Sequence, residues 1–154
     1  MLTLRLTNFE QVRRGHDHFL AQNQRLILES LEKAGRHAKD HVKQYPQFKP
    51  RTGNLQKKTT ARVVRTRGGR VLKLDNKAKY ADAIDGGARP HQIVGKSGGF
   101  LRFFWAKHRR WVTTRKVNHP GNRPYKFMFR AWNSAGRVER QLLEHGMRDI
   151  ARDF

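Results

Sequence analysis

The sequence predicts an α+β fold, with helices gathered on one side of a mainly antiparallel sheet of about four strands. Three observations predict it: a long apolar periodicity of three- and four-residue steps near the start, short β-branched and aromatic runs separated by glycine turns through the middle, and a second helical periodicity at the end. At 154 residues the chain suits one core. It is read as a single domain, 1–154, with a long helix over 8–45, a sheet region over 51–123 and a terminal helix over 124–154 packed on the sheet.

Leu2, Leu4 and Leu6 alternate with Thr3 and Arg5, the period of a short half-buried strand. From Asn8, an N-cap with Gln11 at the capping-box position, the stripe Phe9, Val12, His16, Phe19, Leu26, Ile27, Leu31, Ala34, Ala38, Val42 and Tyr45 marks one face of a helix that Pro46 stops. At 1.5 Å per residue it approaches ~55 Å, unless Gly15 or Gly35 breaks it. Residues 46–58 form a loop leading to one helical turn, with Thr52 as its cap. TTARVVRT (59–66), the turn RGGR and VLKLD (71–75) form a hairpin. Asn76 to Asp85 reads as a short helix with Tyr80, Ala81 and Ile84 inward, ended by Gly86-Gly87. Residues 88–99 read as a polar, glycine-rich loop. FLRFFW (100–105) and WVTTRKV (111–117) pair across the basic turn AKHRR, NHPGNRP (118–124) is a rigid turn, and Pro124 starts the last helix with the stripe Phe127, Ala131, Ala135, Val138, Leu142 and Ile150.

Charge is the strongest compositional signal. Thirty-four Lys and Arg face 12 Asp and Glu, a formal net charge of +22. The apolar share with glycine counted is about 42%, close to the usual ~45–50%, so this is a folding chain rather than a disordered polycation. Self-repulsion of this size calls for an anionic neighbour such as nucleic acid, an acidic protein surface or anionic lipid. Absence of cysteine excludes a disulfide framework, a thiolate nucleophile and a Cys-based zinc site. No secretory signal is expected, and FFWA at 103–106, the densest apolar run, is too short to span a bilayer, so a soluble protein made in a cytosol, without membrane contact, is expected.

The excess charge is concentrated. No acidic residue lies between Asp40 and Asp75 or between Asp85 and Glu139, stretches that hold ten and twelve basic residues. Lys57, Lys58, Arg62, Arg65, Arg67, Arg70, Arg109 and Arg110 are therefore the candidate contacts to nucleic acid or an acidic partner. FLRFFW is apolar on both faces, which makes Phe100, Phe103, Phe104 and Trp105, with Trp111 on the paired strand, the candidate subunit interface, with stacking of single-stranded nucleic acid as the other use of such rings. His37 and His41, at i and i+4, lack the neighbouring Glu of a metalloprotease helix, and the carboxylates are too dispersed to hold the divalent ions of a nuclease. No catalytic residue, metal or cofactor is assigned.

The order of the local motifs carries a family resemblance. TGNL at 52–55 with a basic amphipathic stretch after it, YADAIDGG at 80–87, HQI at 91–93, V-N-HPG at 117–121 and PYKFMFRAW at 124–132 together resemble the gene-product-ten-like tail-completion or head–tail joining family of lambdoid tailed phages. The resemblance covers roughly 45–154. Where members show an acidic residue, Gly and Thr after the tyrosine helix, this chain has Asp85-Gly86-Gly87-Ala88. The resemblance implies a non-enzymatic virion component, assembled in the host cytoplasm as a six- or twelve-fold homo-oligomeric ring at the neck, with other neck and tail proteins as partners. It implies structural turns at Gly53, Gly86 and Gly87, and at His119, Pro120 and Gly121, which set the entry to the last helix. The basic surface then faces either DNA in the lumen or acidic rings on neighbours. The competing reading is a free-standing basic nucleic-acid-binding protein.

Overall fold

The computed structural model describes residues 9–44 and 52–152; the strand expected over 2–6, the cap at Asn8, the stop at Tyr45 and Pro46 and the first part of the loop that follows, 46–51, lie outside them. In order, the elements are α1 (Phe9–Gln44), α2 (Asn54–Lys57), β1 (Thr59–Thr66), β2 (Gly69–Asn76), α3 (Ala81–Gly86), β3 (His91–Val94), β4 (Leu101–Trp105), β5 (Arg110–Thr114), β6 (Lys116–His119) and α4 (Phe127–Arg152). The α+β class holds. The strands are all antiparallel, paired as three two-stranded ribbons, β1 with β2, β3 with β6 and β4 with β5. Contacts divide the chain into two compact units, one built from α1, α2, β1, β2 and α4, the other from Lys79–Lys126.

In the first unit α1 runs unbroken through Gly15 and Gly35. Gly35 is buried, and a Cβ there would come within 2.9 Å of Leu72 Cδ1 and 3.3 Å of Ala61 Cβ, so it marks where the ribbon presses on the helix. Leu31, Ala34, Ala38 and Val42 of α1, Leu55 of α2, Leu72 of β2, Ala78 after β2 and Phe127, Ala131 and Ala135 of α4 are its buried apolar residues among those described. The alanines let α1 and α4 approach closely, and the terminal helix packs chiefly against α1, which in turn lies on β1 and β2. Asn76, read from sequence as the start of a helix, instead ends β2. Its amide donates to the Leu55 carbonyl and to Thr59 Oγ1, both at 2.8 Å, and its Oδ1 accepts from the Ala78 N–H at 2.9 Å. Thr59 Oγ1 also donates to the Leu55 carbonyl. This knot fastens the TGNL turn to the open end of the ribbon.

The second unit consists of α3 and a long hairpin in which the β3–β6 and β4–β5 pairs follow one another, closed at its base by a bridge between Ala88 and Asn122. Sequence reading took 88–99 as loop; its HQIV segment is β3, which pairs with β6 across 21 intervening residues. The ribbon is interrupted once, where 95–100 loop out opposite Arg115 before β4 and β5 take over the pairing. Arg109, at φ +49°, closes the tip. The last helix starts at Phe127 rather than Pro124. Lys126 sits at φ +52°, and the N–H groups of Tyr125 and Lys126 donate to the carbonyls of Ile84 and Asp85.

Candidate functional site

Register decides which charges share a surface. In the first unit Arg62 stands directly opposite Lys73, and Arg65 opposite Arg70. Because side chains alternate faces along a strand, Arg62 and Lys73 lie on the side with Val64 and Val71, whereas Arg65 and Arg70 share the side of Ala61, Val63 and Leu72. Near the hairpin end the latter pair lines a shallow pocket with Gln24 and Ile27 of α1. Arg67 occupies the turn, and Lys57 and Lys58 are exposed at the far end. The predicted basic set is thus spread over two faces and both ends. Like charges directly across a ribbon repel, which makes each pair a place where a bound anion gives relief.

The ribbon of the second unit gathers the other predicted residues. Residues 88–122 hold eight Lys or Arg and no Asp or Glu, and none of the eight has an acidic partner among the described residues. One face of the outer part carries Leu101, Phe103, Trp105, Arg110 and Val112; the other carries Arg102, Phe104, Trp111 and Thr113. Phe104 meets Trp111 edge to face at 5.7 Å. Arg102 lies over the Trp111 ring at 5.2 Å and Arg115 over Phe100 at 5.3 Å. Phe100 and Trp111 are 65% and 63% exposed. Ile93, Leu101, Phe103 and Val117 line a largely apolar cleft with Arg102 and His119. The predicted interface residues therefore divide between two faces rather than forming one patch, and Arg110 stands beside Trp105 at the tip.

Of the predicted turn residues, Gly53, Gly87 and Gly121 adopt positive φ, while His119 ends β6. Gly53 precedes α2 at φ +65°. Gly87 and Gly121, at φ +81° and +80°, flank the Ala88–Asn122 bridge. A Cβ on Gly87 would meet the Pro124 nitrogen at 2.9 Å, and one on Gly121 would collide with the Ala88 carbonyl. Gly86 ends α3 in open space. His119 Nδ1 accepts from the Gly121 N–H at 3.0 Å and its ring lies 5.1 Å from that of His91, whose Nδ1–H donates to the Arg89 carbonyl. Pro120 is exposed.

His37 and His41 belong to helix packing. His37 Nε2 is 2.8 Å from Ser134 Oγ on α4. Burial first, then the charges of His37, Arg137 and Arg130, push the His41 imidazole below its ordinary value. Among the described residues no three His, Asp or Glu side chains gather where they could share a metal ion, and no helix is long and apolar enough to cross a membrane.

Two surfaces escaped sequence reasoning. Trp132, Gly136, Arg140, Leu143 and Met147 of α4 line, with Leu72, an open groove of about 690 Å³. Along α1, Val12, Phe19 and Leu20 are exposed at helical spacing. The exposed side chains of α4 at steps of three and four, Phe129, Trp132 and Met147 among them, were the available signal. Comparison with family models, curated proteins and solved structures found no match.

Proposed function

We propose that this chain is a non-enzymatic structural virion component of a tailed phage, a tail-completion or head–tail connector protein that assembles as a homo-oligomeric ring at the neck and so belongs to the virion. The ordered motifs from TGNL to PYKFMFRAW suggest the family. The observation that carries the assembly reading is the 88–122 ribbon, which exposes aromatic rings on both faces. A two-stranded ribbon is marginal in water without a third layer. Neighbouring subunits would supply that layer, and the α4 groove and the exposed apolar side chains of α1 offer further contacts of the same kind.

A ring built by aromatic contacts between cationic subunits has a distinctive salt response. Raising salt screens the repulsion and strengthens association. Sedimentation velocity across a salt series is the test: species larger than monomer that grow with salt support the reading, and a monomer at every salt concentration overturns it. Phe104→Ala with Trp111→Ala should weaken association by at least about 2 kcal/mol, the scale of an aromatic hot spot.

A further inference from the structure

We propose that the leading turns of α1, Glu10–Ala21, seat in the α4 groove of a second copy of this chain, so that each copy gives one helix end and receives one. The inference rests on the assembly reading and names a contact separate from the 88–122 ribbon.

Helix lengths leave that end exposed. α1 and α4 run antiparallel, with His37 hydrogen-bonded to Ser134 and Leu26 against Gly146. At that register Arg152, which ends α4, comes level with about residue 20 of α1, so α1 runs on for about 11 residues, or ~16 Å. Every residue from Glu10 to Ala21 except Gly15 is exposed, Val12 by 68% and Leu20 by 44%. Val12, Phe19 and Leu20, spaced by seven and eight, share one side of the helix, and an apolar side in water calls for a cover. This end points along the helix axis, away from the groove of its own copy. Only the α1 of another copy can fill that groove.

The helix glycines mark where two backbones meet. Glycine weakens a helix relative to alanine, so one inside a long helix needs a reason. A Cβ at Gly35 would press on Leu72 and Ala61, and one at Gly146 would collide with Leu26, so packing within the unit accounts for both. A Cβ at Gly15 or Gly136 would meet nothing within 4 Å. Gly15 lies three residues after Val12 and four before Phe19, on the exposed side of α1. Gly136 lies four after Trp132 and seven before Leu143, in the lining of the groove. Each surface thus holds one glycine that its own fold does not require and that lets a second helix cross closely.

Charge identifies the occupant. At +22, most of the surface of one copy repels another. The stretch Glu10–Ala21 sets Arg13 and Arg14 against Glu10 and Asp17, and the groove sets Arg137 and Arg140 against Glu139 and Glu144. With His neutral both surfaces are balanced, so two copies meet there without repulsion, and neither surface carries the excess that selects a polyanion. Among the described residues Arg14, Glu139 and Glu144 make no ion pair, which leaves a cation on one surface and carboxylates on the other. A contact between two different surfaces runs head to tail and closes into a ring when its rotation allows.

The chain has no cysteine, so single cysteines report the contact. Full-length Val12→Cys and Gly136→Cys chains are treated with a short bis-maleimide at high salt, separately and mixed in equal parts. A linked pair is expected in the mixture and not from either chain alone. Sedimentation supplies the second readout. Gly136→Gln adds a side chain to open space, so its urea midpoint holds or rises while the filled groove weakens association at least about tenfold. Val12→Asp with Leu20→Asp, both at exposed positions, should weaken it to the same degree. The proposal is overturned if Gly136→Gln or the aspartate pair leaves association unchanged, if the mixture links no more than either chain alone, or if Val12→Cys chains link chiefly to one another. Association that survives these changes yet is lost in the Phe104/Trp111 double alanine variant removes this contact and leaves the assembly reading standing, whereas a monomer at every salt concentration removes both.

Discussion

Individual side chains fix the two units at a few points. Asn76 makes three hydrogen bonds that join β2, α2 and the chain leaving the ribbon. Asn76→Ala leaves partly buried carbonyl and N–H groups without partners, and a loss of about 1–3 kcal/mol in urea denaturation is expected. Gly121→Ala adds a Cβ against the Ala88 carbonyl at a positive φ. A cost of about 1–3 kcal/mol is expected, read as faster amide exchange at Ala88 and Asn122. His41 gives the pH response. Its folded pKa lies below the ordinary 6.5, so the unfolded chain takes up the proton first as pH falls. The stability this histidine contributes is complete above about 6.5 and is lost as pH drops through the folded value. Urea midpoints should fall between pH 7 and 5, and His41→Gln should flatten that fall.

The elements show what was legible beforehand and why. The long helix, the first hairpin and the terminal stripe through Phe127, Ala131 and Ala135 could be read because each repeats a period over many residues and buries one side. β3 could not, because HQIV is four residues long, lies between Pro90 and Gly95, and pairs with a segment far along the chain. The start of α4 was misplaced because Pro124 is a good first helical residue. The competing fact, the Tyr125 and Lys126 N–H groups donating to α3, is tertiary. Asn76 was missed for the same reason, since its partners are 17 and 21 residues away. Register, which sorts Arg62 from Arg65 and Phe103 from Phe104, depends on pairing that composition does not contain.

At the scale of the whole molecule, charge and exposed aromatic surface pull in one direction. Carrying +22 on 154 residues, the isolated chain repels itself and its copies, while the 88–122 ribbon leaves aromatic rings in water. A neighbouring subunit relieves the second and a polyanion the first. Association and polyanion binding should therefore answer to salt with opposite signs, one strengthened and the other weakened by screening. The central claim is assembly into a closed ring, and native mass spectrometry of the full chain at high volatile salt tests it most directly. The account predicts a single dominant species at a fixed multiple of the 18.1 kDa subunit, which the Phe104/Trp111 double alanine variant dissociates. A spectrum of monomer alone, or an open-ended ladder of sizes that the double variant leaves unchanged, would contradict it.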